Sequence, residues 1–337
     1  MSSSLFEGGR NPSLLGSTSI VLGDLPIWFL RTLAVLFGLL WGSFLNVVIY
    51  RLPREMSVAN PPSSCGSCGA RIKPYDNVPV LSWLLLRGRA RCCKARISPR
   101  YPLVELIGAG LGWATLELVL QTLPPETLLI RVAAVFLAYF ALGLGLVGAA
   151  FIDAEHMYLP DSITLGGALL GLATATLRGM ALVDSLVGAG VGFVGVWLPF
   201  IVIYSRIRGR HGMGLGDAKL TMLAGAWFGM GGAAFVLFAG AIQGTLGAIV
   251  ILLATGKIEE PEAVRADRAE LRRLAAEGDA EATKILAEDP LGEEAPAHAL
   301  GQARLPFGPF LIIGCLEWLF AKEWILAVYR GTLRGGF

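Results

Sequence analysis

A series of apolar runs separated by short polar stretches limits what this chain can fold into. Ile27 to Tyr50, Leu129 to Ile152 and Ala233 to Ala254 each come near or above the ~20 residues that cross a bilayer as a helix. Backbone inside hydrocarbon must satisfy its own hydrogen bonds, so such runs fold as helices. Composition agrees. Hydrophobic residues make up 54%, charged residues only 16%, and the mean hydropathy is +0.62, whereas a soluble chain is ~25% charged. The expected fold is an all-α polytopic membrane protein with about eight transmembrane helices. The first covers 27–50; the others lie near 103–120, 129–152, 162–177, 186–204, 217–228, 233–254 and 306–320.

Charge placement orients them. Residues 51–101 carry Arg51, Arg54, Arg71, Lys73, Arg87, Arg89, Arg91, Lys94, Arg96 and Arg100. Under the positive-inside rule this is a small cytoplasmic domain. Residues 1–26 then form an extracytoplasmic tail, and the basic loop with Arg206, Arg208 and Arg210 also falls inside. The tail is polar and Gly/Ser-rich, is expected to be loosely ordered, and lacks the marks of a removable signal peptide. Residues 102–255 read as a membrane core, and 305–337 as a last span with an interfacial tail. Between them, 256–304 holds twelve acidic and seven basic residues. It reads as a solvated cytoplasmic insertion, helical from Pro261 to Glu288, where helix formers and charge pairs recur at helical spacing. The formal net charge of +2 says little. Membrane lipid is an expected partner; nucleic acid is not.

Two acidic elements stand at span edges. One is Gly214-Leu215-Gly216-Asp217-Ala218-Lys219-Leu220; the other runs from Asp153 through His156 and Leu159 to Asp161. Acidic groups beside membrane helices are costly and are functional by default. The expected topology puts Asp153, Asp161 and Asp217 at the same membrane face. Two carboxylates that share a proton can hydrolyse a peptide bond: one activates water while the other protonates the carbonyl. Asp153 and Asp217 are the candidate catalytic pair. Gly214 and Gly216 would let the backbone come close to an extended substrate, and Lys219 would either tune the pair or snorkel. Asp161 reads as a helix cap, and His156 and His211 as solvated loop residues. Asn46 near the end of the first span reads as helix packing, with a substrate contact as the alternative. Two other functional readings stay open: a presenilin-like protease cutting inside the bilayer, and a transporter or scaffold whose aspartates relay protons or cap helices.

Cys65-Gly66-Ser67-Cys68 and the adjacent pair Cys92-Cys93 could together hold one tetrahedral Zn²⁺ that folds a small domain with little core. The adjacent pair is an unusual second knuckle, because neighbouring side chains chelate less easily. In a reducing cytoplasm disulfides are not expected.

Taken together, the chain resembles the bacterial type IV prepilin peptidases. The likeness runs through Gly42-Ser43-Phe44-Leu45-Asn46-Val47-Val48-Ile49-Tyr50-Arg51-Leu52-Pro53, the Cys65/Cys68 knuckle and the segments Asp76 to Trp83 and Ile97 to Glu105. It continues in Asp153 to Asp161, Gly214 to Leu220, and Pro306-Phe307-Gly308-Pro309-Phe310. The resemblance implies a membrane aspartyl protease of the GxGD type with Asp153 and Asp217 as catalytic residues. The implied substrates are prepilins and pseudopilins with a basic leader ending in Gly. Cleavage would occur at the cytoplasmic face of the bacterial inner membrane, followed by N-methylation with S-adenosyl-L-methionine. In this pattern the second knuckle has cysteines at the positions of residues 90 and 93. Here Ala90 and Cys93 occupy them, and Cys92 is additional. No soluble-type methyl-donor motif is visible; the 51–101 domain is a candidate by resemblance, and Glu105 could assist either reaction or pair with an Arg.

Overall fold

The structure is a computed structural model that describes residues 20–209, 212–258, 260–288 and 305–334. Expectations for His211, most of the N-terminal tail and the linker after Glu288 fall outside these residues. Among these residues eleven α-helices follow in order: α1 (Ile27–Arg51), α2 (Leu81–Leu85), α3 (Arg100–Thr122), α4 (Leu129–His156), α5 (Asp161–Thr174), α6 (Leu182–Val196), α7 (Tyr204–Arg208), α8 (Leu215–Thr255), α9 (Glu262–Ala276), α10 (Ala280–Glu288) and α11 (Gly308–Arg334). A π turn, Trp197–Ile203, joins α6 to α7. It contains Pro199, whose missing N–H and ring disturb regular α-helical bonding. The described residues contain isolated β-bridges but no strand. Among the described residues, five helical segments are long and apolar enough to cross a membrane: Ile27–Arg54, Arg100–Thr122, Leu129–His156, Leu182–Arg208 and Leu215–Thr255.

The last of these makes two passes. Gly229 has φ 73° and ψ −175°, which breaks the helical path at a conformation open to glycine alone. The first limb of α8 lies antiparallel to α6, with Gly225 against Gly188 and Thr221 against Gly192. The second limb lies antiparallel to α11, with Gly240 against Leu311 and Val236 against Gly314. So α8 runs to the far end of the bundle and returns, as the two expected spans on either side of residues 229–232 require. With α1, α3, α4, α5, α6–α7 and α11, the described residues hold eight helical limbs of the bundle. Two are short: α5 has 14 residues, and the first limb of α8 is similar, about 21 Å at 1.5 Å per residue.

Small residues let the seams close. Across α1 and α3, a Cβ at Gly38, Gly108 or Gly112 would run into the backbone of the opposing helix. Ser185 Oγ donates to Ala226 O at 2.5 Å, and Thr221 Oγ1 to Gly192 O at 2.9 Å, tying α6 to α8. Lipid offers little hydrophobic drive for helix association, so close backbone contact and such bonds, each ~0.6–2 kcal/mol, hold the helices together. A core of Leu142, Leu146, Leu220, Leu223, Trp227, Leu311 and Ile312 fills the space between α4, α8 and α11.

Two expectations are corrected. The end of the N-terminal tail is held in place rather than loose: Leu22 and Gly23 donate to Thr127 O and Pro125 O at 2.9 Å, and Leu22 is buried. The last helix runs to Arg334, past the end expected for the span near Phe320. His156 closes α4 rather than sitting in a solvated loop, and its Nε2 is buried without a partner among the described residues. The insertion forms a helical hairpin, α9 and α10, that turns at Gly278 with φ 94° and touches α4.

Candidate active site

The ends of four helices meet at one end of the bundle. α4 ends at Met157, which takes the left-handed conformation; Pro160 then caps α5. Asp153, in the last turn of α4, is 6% exposed. Its Oδ2 accepts the Gly308 N–H at 3.0 Å, from the first residue of α11. Asp217, in the first turn of α8, is half-buried, and its Oδ2 accepts the N–H of the cap residue Gly214 at 3.1 Å. Each carboxylate thus has one oxygen fastened by a glycine amide. Neither Oδ1 has a protein hydrogen bond among the described residues. The two groups are near enough for the charge on Asp153 to act on Asp217.

Leu159 sets the spacing. It is buried in the α4–α5 connection. A Cβ on Gly216 would lie 3.1 Å from Leu159 Cβ, and one on Gly308 would lie 3.2 Å from Leu159 Cδ2. The same side chain therefore bears on the backbone carrying Asp217 and on the backbone holding Asp153. Gly308 is tighter still: its Cβ would fall 2.6 Å from Asp153 Oδ2. Sequence reading marked Pro306 to Phe310 as a motif without a task and passed over Leu159. Two prolines flanking a glycine at a helix start were the available signal.

Lys219 and Asp161 bond to each other, Nζ to Oδ1 at 2.6 Å. This corrects the capping role expected of Asp161: Pro160 is the cap residue, and the Asp161 carboxylate ties α5 to the first turn of α8 instead. It also gives Lys219 a partner other than water.

The four cysteines converge on the same side. Their Sγ atoms all lie within 4.8 Å of one another and could hold a metal ion. Cys65–Cys93 is 3.6 Å, Cys68–Cys92 is 3.3 Å and Cys92–Cys93 is 3.9 Å. A tetrahedral thiolate site with arms of ~2.3 Å has edges of ~3.8 Å, so the donor set fits a zinc-sized ion. The two knuckles fold alike. Cys65 N–H donates to Ala70 O, and Cys65 O accepts from Gly69; Ala90 N–H donates to Ala95 O, and Ala90 O accepts from Lys94. Ala90 therefore occupies the place of Cys65, and Cys92 supplies the sulfur that this place lacks. The backbone amides of Ser67 and Cys68 hold the Cys65 thiol down to about 6. Hydrogen bonding with Cys68, then burial, pushes Cys92 up to about 12. Arg91 grips Asp76 at 2.8–3.0 Å and fixes the second knuckle to the turn at Pro74–Asp76. An Arg100–Glu155 ion pair joins the start of α3 to the end of α4, linking the cysteine-bearing segment to the aspartates.

Comparison with known proteins adds to this geometry. Residues 140–251, which contain both aspartates, match the type IV leader peptidase family, and residues 36–118 match the bacterial peptidase A24 N-terminal domain. A prepilin leader peptidase/N-methyltransferase of Myxococcus xanthus is 35% identical over 90% of this chain and 95% of its own length. The chain belongs to the type IV leader peptidase family. Proteins with the same name from Pseudomonas putida and Aeromonas hydrophila are 38% and 40% identical, each over 60% of this chain and 74% of theirs. No solved structure matches significantly. The peptidase family's matched region and the A24 N-terminal domain divide the candidate residues: Asp153 and Asp217 fall in the first, the four cysteines in the second.

Proposed function

We propose that this chain cleaves the leader from type IV prepilins and pseudopilins with Asp153 and Asp217, then N-methylates the new N-terminus. The observation that carries the first step is the pair of carboxylates, each with one oxygen pinned by a glycine amide. Pinning fixes the rotamers, so the unbonded oxygens stay oriented toward a shared water. One carboxylate takes a proton from that water. The other, in its acid form, donates to the scissile carbonyl, and the roles reverse as the amine leaves. Membership of the family and the prepilin leader peptidase relatives support this reading.

The site opens on the cytoplasmic face of the inner membrane. In support, the basic 51–101 segment and Arg206 and Arg208 border the bundle end where the aspartates lie. Residues 51–101 act as the cytoplasmic domain, 102–255 as the peptidase core and 256–304 as an insertion outside the chemistry. Zn²⁺ held by Cys65, Cys68, Cys92 and Cys93 would brace the small domain. S-adenosyl-L-methionine would supply an electrophilic methyl group to the amine left by cleavage.

The test is mass spectrometry of a prepilin co-expressed with Asp153→Asn or Asp217→Asn. Each variant is expected to fold and to leave the leader uncut, whereas the native chain yields a shortened product with one added methyl. Cleavage by either variant would remove that residue from the mechanism. Proton-coupled flux without proteolysis would favour a transporter.

A further inference from the structure

Glu105 lies about one and a half turns into α3 and is buried. The α1–α3 seam beside it is closed. A Cβ on Gly42 would fall 2.9 Å from Glu105 Cα, and Asn46 Nδ2 of α1 donates to Tyr101 O at 3.1 Å. The carboxylate reaches the cysteine-bearing segment instead. Its Oε2 accepts the Val80 N–H at 2.7 Å. No Lys or Arg pairs with it among the described residues, which replaces the arginine partner considered from sequence. Val80 has φ 60° and ψ −49°, a conformation that a β-branched residue avoids. The bond to Glu105 holds it there and ties the start of α2 to α3. This short helix therefore begins beside the second turn of α3, about 7 Å along a segment that is long and apolar enough to cross a membrane.

Three hydrogen bonds decide which side of α2 meets the protein. Ser82 Oγ accepts the Val78 N–H at 2.9 Å and donates to Tyr75 O at 3.2 Å, and Trp83 Nε1 donates to Ile97 O at 3.1 Å. Ser82 and Trp83 thus face their own domain. Leu81, Leu84 and Leu85 occupy the opposite arc, about 100° wide at helical spacing. They are 57%, 57% and 82% exposed. Three uncovered leucines on one turn mark a contact with a protein or a membrane.

Two features choose the bilayer. Leu103 and Leu106 of α3, within one turn of Glu105, are also exposed, so the leucine face of α2 continues the lipid-facing surface of a membrane helix. Tyr50 and Tyr101, exposed at the end of α1 and the start of α3, stand where aromatic side chains mark the membrane–water boundary. Arg87 and Arg89 follow α2 directly and are exposed. Basic residues at the end of an apolar face suit an anionic headgroup layer.

We infer that α2 is an interfacial helix: Leu81, Leu84 and Leu85 sink among the acyl chains, and Arg87 and Arg89 meet anionic phospholipid headgroups. The bilayer then covers an apolar face that the cysteine-bearing segment leaves open. This lipid contact requires only the membrane fold and is independent of the proposed cleavage.

The test uses the full-length chain with p-benzoylphenylalanine in place of Leu85, reconstituted in vesicles of phosphatidylcholine and phosphatidylglycerol. A thermal melt checks folding, and a probe in place of Leu84 serves if the first variant does not fold. After irradiation, adducts are counted by mass spectrometry of peptides containing α2. Acyl-chain adducts are expected within about threefold of those from a probe at Leu106, and at least about tenfold above those from a probe at the exposed Glu281 of α10. A Leu85 yield no higher than the Glu281 yield overturns the inference. So do adducts mainly to a co-reconstituted prepilin or to a second copy of the chain, either of which would make α2 a protein-docking face. Replacing phosphatidylglycerol with phosphatidylcholine is expected to cut the yield at least about twofold, and Arg87→Gln with Arg89→Gln to abolish that difference. Equal yields in the two vesicles with both arginines present overturn the headgroup contact.

Discussion

Replacing Gly308 with alanine adds one methyl group where the fold has no room for it. The new Cβ would lie 2.6 Å from Asp153 Oδ2, 2.9 Å from its Cγ and 3.2 Å from Leu159 Cδ2. The carboxylate must retreat by several tenths of an ångström, and its hydrogen bond to the Gly308 amide stretches or breaks. A hydrogen bond to a charged group is worth ~1.5–3 kcal/mol, and a misplacement of ~1 Å in a reacting group costs ~10²-fold. Cleavage should therefore slow by roughly 30- to 300-fold in kcat, with KM changed by less than about threefold. Stability should move little, because alanine is the better helix former by up to ~1 kcal/mol, which partly offsets the contact. The assay is leader removal from purified prepilin in detergent micelles, followed by gel densitometry and paired with a thermal melt. Gly166→Ala is the control, since a Cβ there meets nothing within 4 Å. A Gly308→Ala chain that folds and cleaves within threefold of the native one would refute both the hold on Asp153 and the role given to it.

Three more outcomes are expected. Cys92→Ser should lower bound zinc, measured by elemental mass spectrometry, from one per chain to a small fraction; adding Ala90→Cys should restore it by rebuilding the corner that Cys92 fills. Arg178 donates to Gly171 O at 2.7 Å and Trp227 O at 3.0 Å and lies 4.2 Å over the Trp227 ring; Arg178→Ala should cost about 2–4 kcal/mol of stability, read as a lowered melting temperature. Exchanging residues 259–302 for a short Gly/Ser linker should leave leader cleavage within threefold, and a folded but inactive deletion would assign the α9–α10 hairpin a part in catalysis.

How much was legible in the sequence depended on whether the cause was local. A helix in hydrocarbon must close its hydrogen bonds within its own segment, so the spans could be read from apolar runs, and the reversal near Gly229 from its glycines. The Asp217 element declared itself because Gly214, Gly216 and the acid lie within four residues of one another. Its partner Asp153 needed topology as well, since only the alternation of spans placed the two on one face. The Cys65/Cys68 knuckle was visible, but the fitness of Cys92 was not, because it depends on how the chain turns after Ala90.

Other features required the folded chain. Gly308 lies 155 residues from the Asp153 carboxylate it holds, and no spacing rule spans that distance. Leu159 reads as one more apolar residue until Gly216 and Gly308 are seen to abut it. Asp161 looks like a cap until Lys219 arrives from another helix. Asn46 and Glu105 become a polar seam only because small residues bring α1 and α3 into backbone contact. The sequence by itself marked which runs are apolar enough to be membrane helices and which acids stand at their edges, since both are read from solvation of short stretches. Tertiary structure decided which glycine amides grip those acids and which cysteines meet, since these depend on helix packing across residues far apart in the chain.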